Sequence, residues 1–289
     1  MDKNNSLHFF LLNCAMLCIS TSGALGRSIS LPPPLTIWSR AVVAFVLLFG
    51  FALWKKKRIL LNFKKEGSAT VLSGILMASH WVTYFFALQW SSVTIGMLSL
   101  FTYPMITVLL EPFFFEIRYQ KRHLLLGLMI LAGVYLLAPS FELNNTVTQG
   151  VLMGILSSVC YALRNILMKQ KIAAVDGSVL MLYQMGVTLI ILLPALVYFE
   201  MESYIINLPY LLILGILTTA IGHTLFLNSF KKFSIGTVSI MSGIQPIYGI
   251  LLGILFLSEI PTGRSIIGGL LIILTVLIEQ KSTRTAQEK

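Results

Sequence analysis

Apolar and polar positions fall in long blocks along this chain. Ten apolar runs, at 7–27, 35–54, 68–88, 93–114, 123–139, 148–169, 178–199, 208–229, 236–257 and 263–279, are separated by short polar or charged segments. A bilayer hydrocarbon core of about 30 Å takes about 20 helical residues to cross, and each run is close to that length. The pattern predicts an all-α polytopic membrane protein with ten transmembrane helices, inserted as a multi-pass protein of the inner (plasma) membrane. Composition agrees. The chain is 56% hydrophobic and 11% charged, with mean hydropathy +0.86, whereas a soluble domain carries roughly 25% charged residues. Lys3, the following apolar run and the small residues of 22–26 mimic a signal peptide, but further spans follow, so the first run reads as an uncleaved helix.

The net charge of +10 changes the picture only through its distribution. With the N-terminus in the cytoplasm, 17 of the 21 basic residues fall on the cytoplasmic side: Lys3, Lys55 to Arg58, Lys64, Lys65, Arg118, Lys121, Arg122, Lys169, Lys171, Lys231, Lys232, Lys281, Arg284 and Lys289. Arg27 and Arg264 are left outside, and Arg40 and Arg164 lie within spans. This bias orients the chain with both termini cytoplasmic. It also removes nucleic acid as a partner, because the charges sit in loops between spans. The partners implied are the lipid bilayer and a small-molecule substrate. Cys14, Cys18 and Cys160 lie inside apolar runs and form neither a disulfide framework nor a metal site; no cofactor is expected.

A shift of 142 residues overlays the two halves. Ser92 meets Ser234, Pro104 meets Pro246, Gly127 meets Gly269, Leu128 meets Leu270, Ile130 meets Ile272 and Val134 meets Val276. The charge bias changes sign with the shift: 55–65 is basic, while 197–207 carries Glu200 and Glu202. Five spans is an odd number, so the second copy enters the membrane inverted. The expected organisation is a first five-helix repeat over 1–140, an inverted second repeat over 148–280, and a disordered cytoplasmic tail over 281–289. Inverted repeats supply two arrangements of similar energy, open to opposite sides, with a site near the midplane.

Three stretches resemble a known family: IWSRAVVAFVLL around Arg40, YPMITVLLEPFFFEIRYQKRHLLLGLMILAGVYLL in the first half, and QPIYGILLGILFLSEIPTGRSIIGGLLIIL in the second. They resemble the drug/metabolite transporter superfamily, and within it the proteins with two EamA-type domains. The likeness covers nearly the whole chain. The spacing of Pro246 to Glu259 fits the pattern; the first half departs from it by one residue at Glu116 and by the added Glu111-Pro112. Such a resemblance implies metabolite transport, with short members often exporting amino acids or related compounds.

The polar residues inside the spans are the candidate substrate-binding set. Tyr161, Arg164, Asn165 and Met168 share a helical face, where the guanidinium could grip a carboxylate or snorkel to the cytoplasmic edge. Arg40 reads as an anchor or gate. His80 and His223 are within one residue of equivalence under the shift; they could carry protons as the coupling ion or serve as neutral interhelix hydrogen-bonding groups. Trp81 and Tyr84 beside His80 could stack on a planar solute or simply pack. Tyr103 and Gln245 precede two prolines read as kinks within spans, and Ser242, Gln245 and Tyr248 lie opposite Ser99 and Tyr103. Gly249 and Gly253 have the spacing of close helix packing. Glu111 and Glu116 read as a solvated ion-pair cluster with Arg118, Lys121 and Arg122.

The chain carries no HExxH, no aspartate in any span and no GxxxxGK[ST] loop, which excludes intramembrane zinc or aspartyl proteolysis and nucleotide-driven pumping. The expectation is a secondary transporter and not an enzyme, working by alternating access, with amino acid export as the favoured activity. A passive channel, or a receptor or scaffold without transport, are the alternatives; a carrier saturates and shows counterflow, and a channel does not. Ten helices suffice for a monomeric carrier, and no pattern in the sequence bears on oligomeric state.

Overall fold

The computed structural model describes residues 3–115, 122–137, 142–198, 204–233, 238 and 242–287. Among them every regular element is helical. In chain order they are α1 (Lys3–Ser28), α2 (Pro33–Trp54), α3 (Ser68–Trp90, entered by a π-helical turn at Phe63–Gly67), α4 (Val93–Leu100), α5 (Tyr103–Phe114) and α6 (Arg122–Leu137). There follow α7 (Thr146–Lys171), α8 (Gly177–Leu192), α9 (Ala195–Tyr198), α10 (Tyr204–Ile213), a π-helical stretch at Leu214–His223, α11 (Thr224–Ser229), α12 (Gln245–Leu257) and α13 (Gly263–Gln287). Among the described residues, six continuous or near-continuous helical stretches are long and apolar enough to cross a membrane, and four shorter apolar helices accompany them. The bundle is that of a polytopic membrane protein.

Local chemistry sets the helix ends. Pro33 opens α2 where its missing N–H costs nothing. Asn145 caps α7 by accepting from the Val147 and Thr148 amides, Asp176 caps α8 through the Ser178 amide, and Ser92 caps α4 through the Ile95 amide. Several boundaries differ from those the hydrophobic pattern predicts. The seventh run is interrupted: α8 ends at Leu192 and the chain turns at Leu193-Pro194, because proline disfavours helix in the residue before it. The eighth begins earlier, at Tyr204. The tail expected to be disordered is helical as far as Gln287. Glu116, Arg118 and Lys121 of the expected ion-pair cluster lie outside the described residues, as does Ser234.

The polarity of the bundle is inverted relative to a soluble fold. Arg40, Arg164, His80, Gln184, Thr218 and Thr219 are buried, while Ile190, Val197, Leu255 and Phe256 are largely exposed. An apolar exterior of this extent is a lipid-facing surface.

Contacts run mainly between the two halves of the chain. The α3–α7 contact is the most extensive; α1 packs on α12 and on the Leu214–His223 stretch, α2 on α8, α4 on α12, α5 on α7, and α6 on α13. Glycines permit the closest of these. Gly133 and Gly268 face each other so tightly that a Cβ on either would press on the other's carbonyl oxygen, and Gly249 and Gly253 seat Met97 and Val93 of α4.

Candidate functional site

Pro104 and Pro246 are not kinks inside continuous helices. Each occupies the first turn of a new helix, after a turn at Phe101–Thr102 and at Gly243–Ile244 respectively. Proline is accommodated there because first-turn amides have no intrahelical acceptor. The turns bring Tyr103 and Gln245 to the bundle interior, and each break is tied down by side chains. Thr102 Oγ1 lies 2.8 Å from both the Ser99 carbonyl and Ser158 Oγ and donates its one hydrogen to either; Gln245 Nε2 donates to Met16 Sδ at 2.9 Å.

Between the breaks lies a small cavity of about 20 Å³ lined by buried residues, room for a single water. Its polar and aromatic wall comprises Ser22 of α1, His80, Trp81 and Tyr84 of α3, Tyr103 of α5, Tyr161 of α7, His223 and Gln245, closed by Ile19, Met97 and Leu100. Residues 80, 81 and 84 share one side of α3 by helical spacing. The His80 ring stacks on Tyr161, with centroids 4.4 Å apart and planes at 20°, and Trp81 meets His223 edge-on at 5.3 Å. Ser157 Oγ donates its only hydrogen to the His80 carbonyl at 2.8 Å and lies 2.7 Å from His80 Nδ1. The hydrogen-bond network therefore assigns the proton to Nδ1, leaving Nε2 of a neutral ring as an acceptor. Tyr84 donates to Met97 Sδ at 2.6 Å. His223 Nδ1 has no partner among the described residues. Ser242 stands beside the Tyr103 hydroxyl and Asn165 beside that of Tyr161, without either pair closing to a hydrogen bond.

Both membrane arginines are fully buried. Arg164 does not snorkel. It donates to Gln184 Oε1 at 2.7 Å from Nη2 and 3.2 Å from Nε, and to Asn165 Oδ1 at 2.9 Å, and Gln184 is itself held by Ser73. Arg40 lies against Trp81, 4.1 Å from the ring centroid. Its Nη2 donates to Thr218 and Thr219, each at 2.7 Å, and its Nε to Thr219 at 2.9 Å. Both threonine hydroxyls donate to the Leu214 carbonyl, so their lone pairs are left for the guanidinium. Arg40 Nη1 has no partner among the described residues.

The two ends of the bundle differ. At one, Arg27 Nε donates to Glu259 Oε1 at 3.0 Å, and Glu259 Oε2 accepts from the Val93 amide at 2.8 Å; α1, α12 and α4 are latched together. At the other, basic end, a vestibule of about 310 Å³ opens among His8, Asp176, Asn228, Lys231, Lys232 and Phe233. Between vestibule and cavity stand Phe226, stacked toward Tyr161 at 6.1 Å, and Phe230, 5.1 Å further on. Asp176 bonds Lys57 at 2.7 Å and reaches Lys231 at 3.5 Å. Partial burial alone would raise its carboxyl, but the hydrogen bonds from Lys57 and Ser178 outweigh this and hold it well below the usual carboxylate range.

The sequence model of EamA-like transporters matches this chain twice, over residues 7–138 and 148–278. The chain belongs to the EamA-like transporter family. It is also similar to an uncharacterized transporter of Archaeoglobus fulgidus, 29% identical over 197 residues that make up 68% of this chain and 70% of that one. A solved structure titled only "Crystal structure of protein" superposes with a TM-score of 0.70, covering 97% of this chain and 99% of that one at 18% identity, which establishes likeness of fold. This EamA-like protein is a multi-pass membrane transporter of a small molecule, and not an enzyme.

Of the residues singled out from the sequence, His80, Trp81, Tyr84, Tyr103, Tyr161, His223 and Gln245 line the transporter's cavity. Arg164, Asn165, Ser99, Ser242 and Tyr248 do not. Arg164 and Asn165 are bound to each other and Arg164 to α8. Ser99 packs on Gly154, Ser242 donates to the Val238 carbonyl at 2.8 Å, and Tyr248 is half-buried on α12. Sequence reasoning passed over Ser22, Ser157, Gln184 and the Thr218-Thr219 pair. Ser157 is one turn from Tyr161 on the same face, and an isolated glutamine in an apolar run is a signal of interior placement; Ser22 and the threonines give no comparable sign.

Proposed function

We propose that this transporter is a ten-span, inner-membrane secondary carrier with both termini cytoplasmic, built from two inverted five-helix repeats, and that it exports amino acids or related solutes by alternating access. The observation that carries the reading is an occluded polar and aromatic cavity, latched at one end by Arg27–Glu259 and approached at the other through a vestibule. An intermediate of this kind is what alternating access requires, whereas a conducting channel requires a continuous path. The pairing of helices supports the inverted repeat. Contacts of α1 with the Leu214–His223 stretch have a counterpart in α7 with α3, and those of α1 with α12 in α7 with α5, while α2–α8 and α6–α13 are each self-paired under the 142-residue shift. The two helix breaks also stand 142 residues apart.

In this reading His80 and His223 face the solute and could exchange the coupling proton, Trp81, Tyr84, Tyr103 and Tyr161 hold its body, and Arg164, Asn165, Ser99, Ser242 and Tyr248 enter as the cavity changes shape. Counterflow of labelled amino acids in proteoliposomes tests the carrier. Saturable uptake driven by trans solute, lost in Tyr161→Ala at matched protein density, is expected. Linear flux indifferent to trans solute means a channel, and no flux with any amino acid removes the export assignment.

A further inference from the structure

We propose that an ionised carboxylate on the solute is the counter-charge for Arg40 and Arg164, so that the carrier selects organic acids, with or without an ammonium group, over their neutral and cationic analogues. This rests on the carrier reading above.

Both guanidiniums are fully buried, and among the described residues each is hydrogen-bonded only to neutral groups. Among the described residues no aspartate or glutamate is buried. Two like charges without a compensating acid are an expensive thing to hold in a membrane interior. A protein that needed only anchors at these positions could use neutral donors.

Their placement points to a ligand. Arg40 stands directly behind Trp81, which lines the cavity, and its Nη1 is unpartnered. Arg164 stands one turn along α7 from Tyr161, which also lines the cavity. An anion there meets two positive charges in a low-dielectric setting. An ammonium meets the same two charges as repulsion, and no buried carboxylate among the described residues offers relief. The vestibule repeats the bias. His8, Lys231 and Lys232 line it against one carboxylate, Asp176, already engaged by Lys57 and Lys231, so its field draws anions inward.

The test uses full-length protein in detergent and four probes of similar size: 4-methylpentanoate, leucine, 4-methylpentanamide and 4-methylpentylamine. Intrinsic tryptophan fluorescence, to which Trp81 contributes, reports binding. The acid and leucine should bind roughly tenfold or more tighter than the amide, with the amine weakest. Arg40→Gln should abolish that preference, and Arg40→Lys should keep part of it, since charge survives without the fork. A purely structural arginine would leave the acid-to-amide ratio unchanged in any variant that folds. The proposal is overturned if the amide or amine binds as tightly as the acid, or if no probe binds at tens of millimolar. The wild-type ratio decides this even should Arg40→Gln fail to fold. Leucine counterflow separates the two readings: carboxylate preference without counterflow sinks the carrier and leaves the anion site, whereas counterflow of the amide but not the acid sinks the anion site alone.

Discussion

The two ends of the bundle are closed by different physics. At the Arg27–Glu259 end the closure is ionic, assembled from a partly exposed salt bridge and a carboxylate that also caps α4. At the basic end the barrier between vestibule and cavity is apolar, made of Phe226 and Phe230 packed toward Tyr161. An ionic latch is directional, weakened by salt and released by the loss of one group. A packed plug is insensitive to salt, and removing it exposes or empties a part of the core. An alternating-access carrier with these ends has one gate that opens by breaking a few specific bonds and another that opens by side-chain rearrangement.

The largest expected effect of breaking this contrast is at the plug. Phe226 is 1% exposed, and truncating such a residue to alanine typically costs about 3 kcal/mol or more. Phe226→Ala should lower the thermal unfolding midpoint in detergent and let a vestibule-side reagent reach the cavity; an unchanged midpoint would mean that Phe226 is not packed as described. Glu259→Ala comes next. Loss of the partly exposed pair and of the Val93 contact is worth about 1.5 kcal/mol, or roughly tenfold in the open-to-closed ratio. Modification of Ser22→Cys by an impermeant thiol reagent, in a background without Cys14, Cys18 and Cys160, should accelerate by that factor from the Arg27 side. No acceleration would mean that the pair does not close that end.

Raising ionic strength from about 0.1 M to 1 M shortens the screening length from about 10 Å to 3 Å. It should speed Ser22→Cys modification by a few-fold and leave Leu225→Cys, on the vestibule wall, unaffected. A salt response at both positions would erase the distinction between latch and plug. Asp176→Asn should have the smallest effect, below about 0.5 kcal/mol, because asparagine still caps α8 and Lys57 and Lys231 are partly exposed. The pH dependence follows from the lowered carboxyl. Its contribution is present above the ordinary carboxylate range and is lost only as pH falls through the lower folded-state value. Leu225→Cys modification, taken at each pH relative to a fully exposed cysteine because the thiolate fraction itself falls with pH, should therefore be the same at pH 7 and pH 5, and a difference that Asp176→Asn removes would contradict that.

How far the sequence disclosed this arrangement depends on the kind of signal. The bundle was legible because apolar runs of membrane length are unambiguous, and much of the cavity wall because aromatics and histidines stand out against them, with His80 and His223 within one residue of coincidence, and Tyr103 and Gln245 coincident, under the 142-residue shift. Helix continuity was not. A proline in an apolar run marks a first turn or a mid-helix kink with the same letters, so Pro104 and Pro246 read as kinks, and the turn at Pro194 passed inside a run. Arg40 and Arg164 were visible as charges, but what they touch lies on other helices, at Thr218, Thr219 and Gln184, which no spacing along the chain encodes. The Arg27–Glu259 latch joins residues 232 positions apart and left no local trace.

The π-helical stretch at Leu214–His223 bears on how this protein can change over generations. Its wide turns let neighbouring Thr218 and Thr219 reach the same carbonyl and the same guanidinium. Such a stretch is equivalent to an α-helix carrying an inserted residue. Deleting one residue there would close the wide turns and leave α10 and α11 roughly in phase, so that two neighbouring threonines could no longer both reach the Leu214 carbonyl and the Arg40 guanidinium. Substitutions can drift through this segment; length cannot, and a natural variant one residue shorter here would have to rebuild the Arg40 seat.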